Sequence, residues 1–181
     1  MSPTETLKHE HQIVMLIVNS AEGEVRHITE TGAIRLERVE KMVDFSKNFT
    51  DRCHHAKEEK YLFPKLQQRG MPSSSGPVAV MLAEHEMGRK LIRAIADLLP
   101  GAKRGDPDSV TAVRDNLKAY GELLRGHIHK ENNVLFPMAD RILSEEDQKE
   151  LAAGFEKVEA EEMGEGTHEK FHQMAHDLGR E

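Results

Sequence analysis

The sequence predicts an all-α protein, an antiparallel up-down-up-down four-helix bundle with two short C-terminal helices. Apolar residues recur at helical spacing along most of the 181 residues. No stretch alternates with the period of two that a half-buried strand requires. Gly and Pro punctuate the chain so that four long segments are joined by short links. The first helix is expected over 4–28, and Gly32 separates it from a second over 33–69, closed by Gly70. Residues 71–76 form a loop. Pro77 suits the first position of a third helix over 77–99, stopped by Pro100-Gly101, and Asp106-Pro107 caps a fourth over 108–143. Ser144, followed by Glu145, Glu146 and Asp147, opens a fifth helix to about residue 163, and Thr167 caps a sixth. Lys47 and Asp51 interrupt the apolar line leading into His54, which points to a π-bulge between Phe49 and Cys53. The organisation is a bundle domain over 1–143 and a helical appendage over 144–181 packed on it.

Composition narrows the function classes. With 25 Lys+Arg against 32 Asp+Glu and a net charge of −7, the chain has no basic stripe for nucleic acid or an anionic membrane surface. The longest apolar run, 13–18, is far short of the roughly 20 residues that span a bilayer, and the first residues lack a signal pattern. The single cysteine, Cys53, cannot form an internal disulfide, which suits a reducing, cytoplasmic setting. Eleven histidines remain to be explained.

Internal repetition explains most of them. His54-His55-Ala56-Lys57-Glu58-Glu59-Lys60-Tyr61-Leu62-Phe63-Pro64 lies over His127-Ile128-His129-Lys130-Glu131-Asn132-Asn133-Val134-Leu135-Phe136-Pro137 at a constant offset of 73, and Glu10-His11 lies over Glu84-His85 at 74. The chain reads as a duplicated helix pair, each half bearing a lone His and an H-x-x-x-E. Residues i and i+4 share a helix face, so His54/Glu58 and His127/Glu131 can each aim an imidazole and a carboxylate at one point. In the fourth helix this pair continues the apolar line of Val113, Leu117, Tyr120 and Leu124. A buried, unpaired carboxylate costs several kcal/mol, whereas two carboxylates shared between two divalent cations are neutralised. Four His and two Glu from four helices suit a dinuclear site. Mixed imidazole and carboxylate ligation favours iron, manganese or zinc over calcium or magnesium, and iron is the first choice.

The order lone His, H-x-x-x-E, lone His, H-x-x-x-E, with Leu-Phe-Pro after each pair, resembles the hemerythrin-like HHE cation-binding domain over about residues 5–140. The resemblance implies a non-haem di-iron centre. Its two iron ions (Fe2+/Fe3+), joined by an oxo or hydroxo bridge, would be held by His11, His54, Glu58, His85, His127 and Glu131, with Glu58 and Glu131 as the bridging carboxylates. Manganese or zinc could take the same ligands. The oxygen carriers of the family place a second His one turn after the third-helix ligand, where this sequence has Arg89, and end on an Asp five residues after its His, where Glu131 stands at four. The similarity is therefore closer to bacterial members that handle oxygen, peroxide or nitric oxide. The string from His127 to Pro137 is also like the iron-centre repair proteins, which carry an N-terminal cysteine-bearing module that this sequence does not show. The implied function is to bind or reduce a small oxidant or gas in oxidative or nitrosative stress. A peroxidase-like or catalase-like oxidoreductase and a non-enzymatic sensor, iron store or repair protein both stay open.

Other residues are weighed against plainer roles. His55 and Glu59 also form an H-x-x-x-E, but they are rotated about 100 degrees from the first pair and are expected beside the site or in solvent. His168-Glu169-Lys170-Phe171-His172 matches H-E-x-x-H, yet only nine residues follow it, too few to complete a zinc protease. His168 or His172 could instead reach the centre as a seventh ligand. Tyr61 and Tyr120 are core residues able to hydrogen-bond near the centre, and Cys53 is expected to be a packed, inert thiol.

Overall fold

A computed structural model describes residues 1–180, and its regular structure is helical throughout, without a strand among the described residues. Helix α1, Pro3–Thr31, starts at a capping box in which Ser2 and Glu5 satisfy each other's backbone donors. It ends where Gly32 turns left-handed at φ 68° and donates its N–H to the Ile28 carbonyl. The second helix begins three residues later than the spacing predicts. Residues 33–35 stay extended because the Arg35 N–H and guanidinium both reach the buried carboxylate of Glu24 in α1, at 2.8 and 2.7 Å. Helix α2 then spans 36–68: Leu36–Phe45 is α-helical, Ser46–His55 and Glu58–Leu62 are π-helical, and Phe63–Gln68 is α-helical.

Helix α3 is Gly76–Lys103 and passes through Pro100-Gly101, where the sequence reading stops it. Proline removes one backbone donor, but Arg104 N–H still reaches the Pro100 carbonyl, and buried Gly101 lets α3 sit against Ser109 of the next helix. Helix α4 covers 107–142, with Pro107–Lys130 α-helical, Glu131–Leu135 π-helical and Phe136–Ile142 α-helical again. Helix α5, Glu145–Val158 with a final π turn Glu159–Met163, and helix α6, Thr167–Arg180, fold back onto the four long helices.

Two of the π turns, those that carry Glu58 and Glu131, share a local feature: each is followed, after one Phe, by a proline, Pro64 or Pro137. A proline ring has no N–H and crowds the carbonyl four residues back, and widening the preceding turn relieves both.

Two large apolar clusters fill the bundle on either side of a polar layer, and a small third one joins Ile28, Ala102 and Val110. One cluster packs Val14, Ile17, Phe45, Phe49, Ile95, Val113 and Leu117 together with Phe171, Ala175 and Leu178 of α6. The other packs Leu7, Leu62, Phe63, Met81, Leu135 and Phe136 together with Leu151 and Phe155 of α5.

Candidate metal centre

The polar layer gathers the six residues of the duplicated motif from all four long helices. His11 (α1), His54 and Glu58 (α2), His85 (α3), and His127 and Glu131 (α4) are each at most 2 % exposed. Glu58 places Oε1 3.5 Å from His54 Nε2 and Oε2 3.2 Å from His85 Nε2. Glu131 places Oε2 3.1 Å from His11 Nε2 and Oε1 3.2 Å from His127 Nε2. Each carboxylate therefore reaches one imidazole on either side of the centre. Ligand-capable atoms fall into two buried groups, each with its atoms within 4.8 Å of one another: His11, His54, Glu58 and Glu131 in the first, and His55, Glu58, His85 and His127 in the second.

Outward-facing acceptors fix the imidazoles. The Nδ1 atoms pair with Asn132 Oδ1 for His11 (2.7 Å), Glu10 Oε2 for His54 (3.3 Å), Glu59 Oε2 for His85 (3.1 Å) and Glu84 Oε2 for His127 (2.8 Å). A carboxylate can only accept, so Nδ1 carries the hydrogen and Nε2 faces the centre, the arrangement that orients ligating histidines. These partners obey the same repeat. Glu10 precedes His11 and holds His54 and Lys57; Glu84 precedes His85 and holds His127 and Lys130. Glu59 and Asn132, at matching positions, each support the lone His of the opposite half. The sequence reading leaves Glu59 either beside the site or in solvent, and here it accepts from His85 and Arg89. That reading does not find the outer roles of Glu10, Glu84, Lys57 and Lys130, although all four lie inside the strings that repeat.

The electrostatics of the centre call for cations. All four oxygens of Glu58 and Glu131, and Nε2 of His11 and His54, are buried without a well-formed hydrogen bond. Burial and the neighbouring Glu131 charge push the Glu58 carboxyl well above the usual range. Burial alone would raise Glu131 too, but the charge of His127 beside it outweighs that and holds it well below. Burial opposes charge on His127 as well, yet Glu131 and Glu84 raise it to about 9. His54 shows the opposite balance, with burial lowering it to about 4 against the pull of Glu10, so its imidazole is neutral at physiological pH. Without metal, protons held on Glu58 and His127 neutralise a centre whose donors are the imidazole and carboxylate set that divalent metals take. The residues fit a dinuclear metal site.

His168, His172, Cys53, Tyr61 and Tyr120 are not among the residues of these two groups. His168, half-buried, falls in a third set with buried Glu10 and Cys53, and His172 packs against it, with ring centroids 4.5 Å apart. Cys53 is fully buried, and burial raises its thiol to about 12, which makes it inert. Tyr61 packs against Gly154 of α5. Tyr120 is buried against Ser46 and Thr50 and lines a cavity of about 290 Å³ with His55 and Arg89. His55 is expected beside the site or in solvent. It is buried at 5 % exposure and joins the second group, because a π turn spreads its residues differently around the axis from an α turn.

Comparison with known proteins bears on the same residues. The model of the family described as "Hemerythrin HHE cation binding domain" matches residues 2–139. The uncharacterized protein Rv1995 of Mycobacterium tuberculosis is 24% identical over 161 residues, 89% of this chain and 62% of that protein. The iron-sulfur cluster repair protein YtfE of Yersinia pseudotuberculosis is 38% identical over 91 residues, 49% of this chain and 41% of the relative, and its Yersinia pestis counterpart matches to the same extent. The chain thus spans less than two thirds of the length of these curated relatives. No solved structure matches it. Since the matched residues take in all four long helices and every side chain of the two-group centre, the chain belongs to the hemerythrin HHE cation-binding family.

Proposed function

We propose that this centre holds two iron ions and that the protein binds or reduces a small oxidant, such as peroxide, dioxygen or nitric oxide, as part of oxidative or nitrosative stress handling. One observation carries the reading: two buried carboxylates, otherwise unpartnered, each face an imidazole of both groups. Glu58 and Glu131 would bridge, His11 and His54 would hold one ion, and His85 and His127 the other. A pair of redox-active ions with open coordination positions supplies electrons and a binding place for the oxidant. The chain supplies the rest. Glu10, Glu59, Glu84 and Asn132 hold the imidazole hydrogens outward so that Nε2 stays available. Phe136 stacks on His11 (5.5 Å, 9°) and Phe63 on His85 (5.8 Å, 25°), so the Leu-Phe-Pro of each repeat keeps water off the opposite lone His. Mixed nitrogen and oxygen donors without sulfur also suit manganese or zinc, which makes iron a matter for measurement.

A second reading, iron-centre repair, draws on the relative named for iron-sulfur cluster repair. It would use the same two ions as cargo or as reductant.

Elemental analysis of the purified protein tests the first claim, with two irons per chain expected. Adding hydrogen peroxide to the iron-loaded protein tests the second: continued oxygen evolution supports oxidant turnover, whereas a single stoichiometric spectral change favours sensing or repair. Replacing Glu131 with Ala should bring the count below one metal per chain, and an undiminished count of two would sink the dinuclear assignment.

A further inference from the structure

We propose that His168 and His172 of α6, together with Cys53 of α2, hold a divalent metal ion of the zinc type at a mononuclear site separate from the dinuclear centre. The two histidines end the string His168-Glu169-Lys170-Phe171-His172 and lie one helical turn apart, so both rings leave α6 on the same face. Their centroids are 4.5 Å apart with planes inclined at 39°, and both rings rest against Phe49 of α2, at 5.2 and 5.5 Å. Each residue is half-buried, yet Nε2 of both is shut off from solvent and makes no well-formed hydrogen bond among the described residues. Two sheltered nitrogens of this kind call for a partner, and a bound cation would supply it.

Sulfur and oxygen donors stand beside them. A nitrogen of His168, Sγ of Cys53 and an oxygen of Glu10 lie within 4.8 Å of one another. Both Glu10 oxygens are engaged, one by Lys57 and the other by His54. Glu159 of α5, with Oε1 3.9 Å from His168 Nε2, is therefore the freer oxygen donor.

Charge favours the ion. Glu10 and Glu159 together carry one negative charge more than the Lys57 ammonium between them offsets. A divalent cation that sends the Cys53 proton to solvent adds one net positive charge, which brings the cluster to neutrality. Cys53 alone is buried and protonated, but a thiol that coordinates a metal is deprotonated outright. One sulfur, two imidazoles and a carboxylate are donors that zinc takes, and four protein donors leave no position open for catalysis. Glu169, the general base if this string served a metalloprotease, is exposed. The ion would instead fasten α6 to α2 and α5. The duplicated register holds no second copy of the site: Glu84 and Lys130 match Glu10 and Lys57, but Gly126 stands where the first half has Cys53.

The experiment titrates the iron-loaded protein anaerobically with Co(II) and follows its absorption spectrum. A thiolate-to-cobalt charge-transfer band can arise only at Cys53, the single cysteine, because the residues of the dinuclear centre offer nitrogen and oxygen alone. One equivalent of cobalt should produce that band with the visible bands of a tetrahedral ion, and Zn(II) should abolish both by displacing it. His168→Gln and His172→Gln should each weaken cobalt binding by at least about the tenfold that loss of an outer partner costs, while two irons per chain remain. The melting temperature of these variants without cobalt, equal to that of wild type, separates loss of a ligand from misfolding. Cys53→Ser should remove the charge-transfer band. No such band at excess cobalt, or one of unchanged affinity in both histidine variants, would overturn the proposal. Fewer than two irons with the cobalt band intact would overturn the dinuclear reading and leave this site standing.

Discussion

Lys57 carries its charge in the interior, fully buried between Glu10 and Glu159. Burial disfavours its ammonium, but the Glu10 charge outweighs that and raises its pKa. In return, Lys57 and His54 overcome the cost of burying Glu10 and hold that carboxylate at about 2. Replacing Lys57 with Ala leaves Glu10 buried with its ammonium partner removed, so about 3–5 kcal/mol of stability should be lost in urea unfolding of the metal-free protein. The repeat counterpart, Lys130, is 44% exposed beside Glu84, and Lys130→Ala should cost no more than about 1 kcal/mol. Equal losses would mean that burial does not decide the value of these pairs. The contrast also shows what the sequence could disclose at this scale. That six residues meet in the polar layer was legible because H-x-x-x-E recurs in one register with Leu-Phe-Pro, and no single His would have disclosed it. Which of two matching lysines is buried depends on α5 covering one half of the centre, and no local pattern carries that. The direction of His55 was hidden for a similar reason: it depends on the pitch of the turn, not on its spacing.

At the scale of elements, the four helices and the bulge before His54 were legible, since proline, glycine and misplaced charges mark them. The start of α2 was not, because a buried carboxylate on another helix holds 33–35 extended. How α5 docks was equally hidden, and two substitutions probe it. Gly154 of α5 lies against the Tyr61 ring so closely that a Cβ would overlap three ring carbons, so Gly154→Ala should cost about 1–3 kcal/mol. Gly126, exposed in the middle of α4 with nothing near it, should gain up to about 1 kcal/mol as Ala. Chemical denaturation distinguishes the two, and a neutral Gly154→Ala would detach Tyr61 from α5. The start of α5 adds a pH signature. Asp147 accepts from Arg69 at the end of α2 and from the Ser144 backbone, and these bonds hold its carboxyl well below the usual range. A depressed carboxylate stabilises the fold above its unfolded value, near 3.8, and loses that contribution as pH falls through the folded value. Asp147→Asn should therefore unfold more easily than wild type at neutral pH, and the gap should narrow steadily below about pH 4. A gap independent of pH would mean that the charge of Asp147 is not what ties α5 to α2.

In the whole molecule, the centre is the place where the four long helices meet across a layer that the two apolar clusters cannot fill. Each cluster brings helices together through burial, but between them lie two carboxylates and four imidazoles, each at most 2 % exposed. Unlike the apolar clusters, this layer is stabilised in proportion to what binds it. A ligand that binds the folded chain and not the unfolded one adds RT ln(1 + [L]/Kd), about 4 kcal/mol at a thousandfold excess over Kd. For a chain of this length each kcal/mol moves the melting temperature by about 2–4 °C, so removing the metal should lower it by about 8–16 °C. Differential scanning calorimetry of the loaded and chelator-stripped protein reads the difference. The loss should be reversed by adding back iron and absent in Glu131→Gln, which keeps the side-chain volume but discards the carboxylate charge. A stripped protein that melts with the loaded one would mean that protons on Glu58 and His127 satisfy the layer as well as cations do. The buried carboxylates would then need another reason to be there.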